Sequence, residues 1–168
     1  TRLDCDAWLM PTDFTLRVER YWLQPEPPGF VKALKQMRGS LPASWHSGEQ
    51  RVIPVPLWWS NGRSRPWLVN VLGQSLYGLH QVVRKFVDAF VAENHPPRNG
   101  RERPLLALPV ISTGKGGAAK VKGEVIAALV GALLQLVKDY EVDLVLVTHS
   151  AAALAAAQKA RKARGAGW

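Results

Sequence analysis

Apolar residues recur at three- and four-residue intervals in three segments of the chain, which is the spacing of an amphipathic helix. The longest of these segments spans residues 75–92, and the other two span residues 30–37 and 122–137. An alanine-rich segment at residues 151–164 predicts a fourth helix, because Ser150 stands where an N-cap is expected and Gly165 where the helix would end. The pattern therefore predicts four helices, two of them wholly in the second half of the chain.

Short apolar runs predict the strands of a buried sheet. Residues 5–10 form the first run, which we expect Pro11 to end. Residues 105–111 are apolar throughout and predict a central strand covered on both faces, with Pro109 near its end. Residues 142–147 predict a further buried strand.

A pair of less regular strands is predicted between the first two helices. Residues 51–59 are rich in β-branched and aromatic side chains, but Pro54 and Pro56 restrict a strand there to an edge of the sheet. After a turn, residues 66–72 predict its antiparallel partner.

Strands and helices alternate in the second half of the chain, so we predict an α/β fold, a three-layer α/β/α sandwich with a mixed sheet. Ligands of such sheets bind beyond the carboxyl ends of the strands, which selects the loops at residues 11–22, 112–120 and 148–150. A length of 168 residues suits a single domain, residues 1–168. Because the chain begins at Thr1 rather than Met, we expect it to be one domain of a longer polypeptide.

Composition excludes several classes of protein. A single cysteine, Cys5, forms no internal disulfide or thiolate metal cluster and favours a reducing compartment, so we expect the cytoplasm. No apolar run approaches the 18 residues or so of a membrane span, and neither metal-ligand spacing nor a cofactor motif is present, so no membrane, metal or cofactor is predicted. A net charge of +9, from 22 Lys and Arg against 13 Asp and Glu, suits nucleic acid, phosphate-bearing ligands or solubility.

A glycine-rich turn between a predicted strand and a predicted helix carries the candidate chemistry. Glycines let a backbone approach a ligand closely and present successive N–H groups, and a helix N-terminus adds partial positive charge. We therefore expect this turn to bind phosphate oxygens. The same segment also suits a plain strand-to-helix connection. It matches neither the ATP-binding P-loop nor the dinucleotide fingerprint. The candidate ligand-binding residues of this turn are Ser112, Thr113, Gly114, Lys115, Gly116 and Gly117.

The order of elements resembles the macro domains, which bind ADP-ribose and its relatives. Residues 6–13, Asp-Ala-Trp-Leu-Met-Pro-Thr-Asp, are similar to the family's Asp-Ala strand and first ligand loop, and residues 105–117 resemble its strand and phosphate loop. The segments 66–92 and 142–164 are similar to its middle and last strand–helix units. The resemblance covers most of the chain, and the phosphate loop is its most specific part.

The resemblance implies an ADP-ribose or NAD-derived nucleotide site, with residues 112–117 at the diphosphate. It also implies that Thr12, Asp13 and Arg17 face the pocket, with Arg17 on phosphate and Asp13 on a ribose hydroxyl, and it places His149 near the ligand. As loop charges, Asp13 and Arg17 are also compatible with simple solvation, and His149 with a structural role. The chain departs from the family where an asparagine-rich and glycine-rich first loop is usual, because no glycine precedes Gly29.

Three functions follow as hypotheses. The first is a binding module for ADP-ribose or a related nucleotide, acting as a sensor or in recruitment. The second is hydrolysis of an ADP-ribosyl bond in the same pocket, with Asp13 as the candidate catalytic residue, and the third is nucleic-acid binding through the basic surface. The pattern is also similar to macro-type modules joined to NAD-consuming, sirtuin-like effectors of bacterial defence, which implies a fused or associated effector domain. Trp22, Trp58 and Trp59 are candidates for stacking on adenine or for core packing.

Overall fold

The computed structural model contains five strands and five helices among the residues it describes, which are 3–19, 29–56, 64–71, 76–111 and 122–165. The strands are β1 (Ala7–Thr12), β2 (Val52–Pro54), β3 (Arg65–Asn70), β4 (Leu105–Pro109) and β5 (Asp143–Val147). The helices are α1 (Phe30–Arg38), α2 (Ala43–His46), α3 (Leu76–Ala92), α4 (Lys122–Asp139) and α5 (Ala151–Lys162). All four predicted helices are therefore present, and α2 is an additional short one.

The strands form one mixed sheet in the order β2-β3-β1-β4-β5. β1 is the middle strand and runs parallel to β3 and β4, and β4 runs parallel to β5. β2 is antiparallel to β3, as the sequence predicts for that pair. Four strands consequently end at the same edge of the sheet.

Alternate side chains of the strands enter two separate cores, which produces the three layers. On one face Leu9, Trp67 and Leu108 pack with the buried sides of α3, α4 and α5. On the other face Met10 and Leu68 pack with α1 and α2. The predicted α/β/α sandwich with a mixed sheet is confirmed.

Two predicted strands differ from the structure. β1 runs through Pro11 to Thr12, although we expected Pro11 to stop it. Thr12 bonds to β3, because its carbonyl accepts a hydrogen bond from the Val71 N–H, and successive residues of a strand bond to opposite neighbours. The odd-numbered Pro11 therefore faces β4, whose pairing with β1 is limited to Ala7 and Trp8, and its missing N–H costs no ladder bond.

β5 is an edge strand and not the buried strand that its sequence predicts. Asp143 and Val147 are exposed and the three residues between them are half-buried. An apolar run is compatible with any position in a sheet, so its composition alone did not distinguish an interior strand from an edge. The predicted central strand at residues 105–111 agrees with the structure, because β4 lies between β1 and β5 and has Pro109 as its last residue.

Helix ends follow local rules. The Ser150 side chain accepts a hydrogen bond of 3.1 Å from the N–H of Ala153 and caps α5. After α5, Gly165 adopts a φ of +69°, as expected of a glycine beyond a helix end. The basic residues Lys159, Arg161 and Lys162 lie in the last turn of α5, where the helix dipole favours positive charge.

A buried carboxylate holds the amino-terminal edge of the sheet together. Asp6 is 6% exposed and accepts hydrogen bonds from the N–H groups of Arg98 (2.8 Å) and Leu105 (2.7 Å) and from the Arg101 guanidinium (3.1 Å). Arg98 and Arg101 also donate to the carbonyls of Cys5 and Asp4. We call Asp4, Asp6, Arg98 and Arg101 the Asp6 cluster. It anchors the loop between α3 and β4 to the start of β1.

Candidate ligand site at the carboxyl edge of the sheet

The carboxyl edge of the sheet brings the ends of β1, β3, β4 and β5 together, since these strands are mutually parallel. Thr12 at the end of β1 lies in register with Asn70 at the end of β3. The end of β4 is in register with Val147 of β5, next to His149. This is the edge at which α/β sheets bind their ligands.

Thr12 is buried, with 6% of its surface exposed, and its hydroxyl is used within the chain. Its Oγ1 donates a hydrogen bond of 3.0 Å to the carbonyl of Arg17. Thr12 therefore ties the end of β1 to the loop that follows it. Its contact with a ligand stays a prediction.

Asp13 begins that loop, which we call the rim loop and define as residues 13–17. Its Oδ1 accepts three hydrogen bonds, from the N–H (2.8 Å) and the hydroxyl (2.7 Å) of Thr15 and from the N–H of Arg17 (3.0 Å). Oδ2 makes no hydrogen bond to any residue that the structure describes. One oxygen of Asp13 thus folds the rim loop, and the other has no hydrogen-bond partner among the described residues.

The ionisation of Asp13 follows from these contacts. Burial alone raises the pKa of Asp13, but hydrogen bonds from the Thr15 hydroxyl and from the N–H groups of Arg17 and Thr15, together with the charge of Arg17, outweigh it. The pKa is therefore held below its ordinary value. Asp13 is an anion at neutral pH.

Arg17 ends the rim loop with an exposed side chain. Its guanidinium makes no hydrogen bond to a described residue, and its charge acts on the Asp13 carboxylate. Two predicted site residues of opposite charge are therefore neighbours on the same loop. Arg17 is the group of this loop that is suited to bind an anion.

Side chains from the helices behind the rim loop hold its backbone. From α1, Arg38 donates through Nε to the carbonyl of Thr15 (3.0 Å) and through Nη2 to that of Leu16 (3.1 Å). From α2, the buried Trp45 donates through Nε1 to the carbonyl of Phe14 (3.0 Å). The rim loop is thereby fixed from outside as well as by Asp13.

Leu16 shows how tightly the rim loop is folded. It has a φ of +56°, in the left-handed region that non-glycine residues seldom occupy, and it is fully buried. Its side chain packs with Phe30, Trp45 and Met10 in the core beneath α1 and α2. Burial of this side chain and the bonds to its backbone maintain the unfavourable conformation.

His149 is exposed and lies between the end of β5 and Ser150, the N-cap of α5. This position is on the carboxyl edge, as predicted from the sequence. The residues predicted for the phosphate loop, Ser112, Thr113, Gly114, Lys115, Gly116 and Gly117, lie outside the described residues, as do Trp22, Trp58 and Trp59. The described chain ends before them at the buried Ile111 and resumes at Lys122, where α4 begins.

Three residues of this edge were missed in the sequence. Asn70 is fully buried at the end of β3, and a polar residue closing an apolar run was a signal that would have found it. Arg38 and Trp45 carried no such signal, because the carbonyls they bind lie 22 to 31 residues earlier in the chain. Only the packing of α1 and α2 beneath the rim loop brings them there.

Other site chemistries find no support in the part of the chain that the structure describes. It contains no group of three His, Cys, Asp or Glu side chains able to hold a metal ion. The Cys5 thiol is buried, and burial raises its pKa, which makes it a poor nucleophile. None of the described helices is both long and apolar enough to cross a membrane.

The fold built by this sheet and its two helical layers is that of the macrodomains. The Oceanobacillus iheyensis macrodomain with MES bound superposes with a TM-score of 0.72 at 15% identity, over 97% of this chain and 86% of that one. The same macrodomain with ADP gives a TM-score of 0.71 at 17% identity, with 97% and 86% covered. No protein-family model and no curated protein matches the chain. The resemblance seen in the sequence is confirmed for the fold.

Proposed function

We propose that this chain binds ADP-ribose or a related NAD-derived nucleotide at the carboxyl edge of its sheet. The observation that carries the proposal is the superposition over 97% of the chain on a macrodomain solved with ADP. The described part of that edge supports it, because it combines strand ends, the start of α4 and a rim loop with one exposed arginine. A role as a sensor or in recruitment follows if binding occurs without turnover.

The roles of individual residues follow from charge and position. Residues 112–117 join β4 to α4 and supply three glycines and Lys115, so we assign them to the diphosphate. Arg17 is assigned to a phosphate oxygen and the Oδ2 atom of Asp13 to a ribose hydroxyl. His149 stands on the far side of the same edge, beyond β5.

Calorimetry with ADP-ribose tests the proposal. We expect saturable binding and a melting temperature that rises with ligand concentration, because a ligand held only by the native state stabilises it. Lys115→Met should weaken binding about tenfold or more, since it removes a charged hydrogen-bond donor. Lys138→Met removes the same charge from an exposed position at the other end of α4 and should leave the affinity unchanged. No heat at millimolar ADP-ribose, with an unchanged melting temperature, would reject the proposal.

Hydrolysis of an ADP-ribosyl bond in the same pocket stays a prediction. Its candidate base, Asp13, has a lowered pKa, and a more acidic carboxyl group is a weaker base. This favours binding over catalysis. Turnover of ADP-ribosylated protein that disappears in Asp13→Ala would reverse that preference.

The wider context of the chain also rests on prediction. A fused or associated NAD-consuming effector, a place in bacterial defence and a cytoplasmic location are proposals from the sequence pattern and the single cysteine. Nucleic-acid binding through the basic residues of α5 and of the loop before β4 is the weaker alternative. It predicts an affinity that falls steeply with salt, which oligonucleotide titrations at two salt concentrations would detect.

A further inference from the structure

The rim loop has little backbone left to offer a ligand. All five of its carbonyls accept hydrogen bonds within the chain, from Leu16 N–H, Trp45, Arg38 twice and the Thr12 hydroxyl. The N–H groups of Thr15, Leu16 and Arg17 all donate to Asp13. A glycine-rich loop binds an anion through several successive backbone N–H groups that have no partner within the protein. Residues 15–17 offer no such groups.

Contact between residues 15–17 and an anionic ligand must therefore pass through side chains. Thr15 uses its hydroxyl hydrogen on Asp13, and Leu16 is buried. Arg17 and the Oδ2 atom of Asp13 are the charged groups that the rim loop can present, and their positions depend on the path of the backbone between them. The bonds to Arg38 and Trp45 hold that path together with the bonds that Asp13 itself accepts.

We infer that Arg38 and Trp45 are positioning residues of the ligand site, which touch no ligand but hold the rim loop in the conformation that presents Asp13 and Arg17. This inference rests on the proposed function and extends it to α1 and α2. Arg38 suits the task because its planar guanidinium bridges two consecutive carbonyls, which a lysine ammonium does less well. Trp45 is anchored in the core, so its indole N–H reaches Phe14 from a fixed point.

The expected loss of affinity depends on the fraction of molecules in which the rim loop has the conformation that binds the ligand. If loss of the two Arg38 bonds leaves the rim loop in its present conformation only about a tenth of the time, the apparent Kd rises about tenfold. The same change opens the amides of residues 15–17 to exchange with solvent. Affinity and local protection should therefore change together.

The test measures the Kd for ADP-ribose and amide hydrogen exchange on the full 168-residue chain. Arg38→Met should raise the Kd about tenfold and accelerate exchange at residues 15–17, while the amides of α4 keep their protection. Arg38→Lys should restore part of both, because it keeps the charge and one donor. Lys35→Met is the matched control, since Lys35 is an exposed cation one turn earlier on α1, and it should change neither.

A second variant keeps the inference testable if Arg38→Met does not fold. Trp45→Phe keeps an aromatic ring in the core but removes the donor to Phe14 together with part of the buried ring, and we expect a smaller rise in Kd with faster exchange at residues 15–17. Faster exchange without any change in Kd would overturn the inference, because the bonds would then be structural only. Unchanged exchange in both variants would overturn it too. Absence of ADP-ribose binding by the unmodified chain would instead reject the proposed function itself.

Discussion

Asp6 and Asp13 stand at the two ends of β1, and each carboxylate accepts three hydrogen bonds. The partners of Asp6 lie 92 to 99 residues away in sequence, and its side chain is buried. The partners of Asp13 lie two and four residues away, and its side chain is half-exposed. Asp6 thus closes the fold, whereas Asp13 shapes one loop.

The difference shows how the same residue type holds distant segments together at one edge and shapes a single loop at the other. A buried carboxylate bound to distant donors is costly to alter, because its removal leaves those donors without an acceptor inside the protein. A half-exposed carboxylate with local donors costs less to alter, because water replaces what is lost. The amino-terminal edge is therefore specialised for closure, and the carboxyl edge can vary its chemistry.

Loss of the Asp6 charge should have the largest effect. Asp6→Asn should lower the free energy of unfolding by about 3 kcal/mol, since the half-buried Arg101 guanidinium and two backbone N–H groups lose the anionic acceptor that the buried Asp6 supplies. Urea denaturation measures this. Asp4→Asn makes the same charge change on an exposed member of the Asp6 cluster and should cost only about 0.5 kcal/mol. Equal costs for the two variants would contradict the assignment of closure to Asp6.

Removal of the Asp13 carboxylate should have an intermediate effect. Asp13→Ala should cost about 1 to 2 kcal/mol, as for the loss of a side chain that caps nearby N–H groups. Thr15→Val removes a single one of the three bonds and should cost less, about 0.5 kcal/mol. Hydrogen exchange in Asp13→Ala should rise at residues 15–17 and stay unchanged in the Asp6 cluster. Faster exchange at both edges would show that they are coupled.

A third variant tests whether the amino-terminal edge is also held by backbone conformation. Gly100, in the loop between Arg98 and Arg101, has a φ of +67° and open space where a Cβ would stand. Gly100→Ala should therefore cost only the backbone strain, about 1 kcal/mol. Gly123→Ala has the same open space in helical α4 and should instead stabilise by about 0.5 to 1 kcal/mol. Thermal unfolding of both variants measures the opposite signs.

Acid should weaken the carboxyl edge through Asp13, with the smallest effect of the four. Because the pKa of Asp13 is lower in the folded chain than in the unfolded chain, its contribution is complete above the unfolded value and is lost as the pH falls below about 4. Urea unfolding between neutral pH and about pH 3 should therefore show a steeper loss in the unmodified chain than in Asp13→Ala. Parallel curves would mean that ionisation of Asp13 does not affect stability.

The sequence anticipated most elements and the position of three candidate residues. The helical pattern over residues 75–92 corresponds to α3 (Leu76–Ala92), and Thr12, Asp13 and His149 lie at the carboxyl ends of strands, as the sequence predicts, while their contact with a ligand stays a prediction. It did not separate an edge strand from an interior one at β5, because an apolar run carries no information about its neighbours. It also gave no sign of Asp6 as a point of closure, since its donors come from a loop 92 residues later.

Periodicity, caps and turn residues act over a few positions, so the sequence by itself determined four of the five described helices, most strand locations, the three-layer class and the loops worth examining. The order of the strands and the contacts of each charged side chain were decided only by the tertiary structure. Arg38 and Trp45 illustrate the reason. They bind carbonyls of the rim loop that lie 22 to 31 residues earlier in the sequence, and only the packing of α1 and α2 brings these groups together. Such contacts depend on where distant segments pack, and no local pattern encodes that.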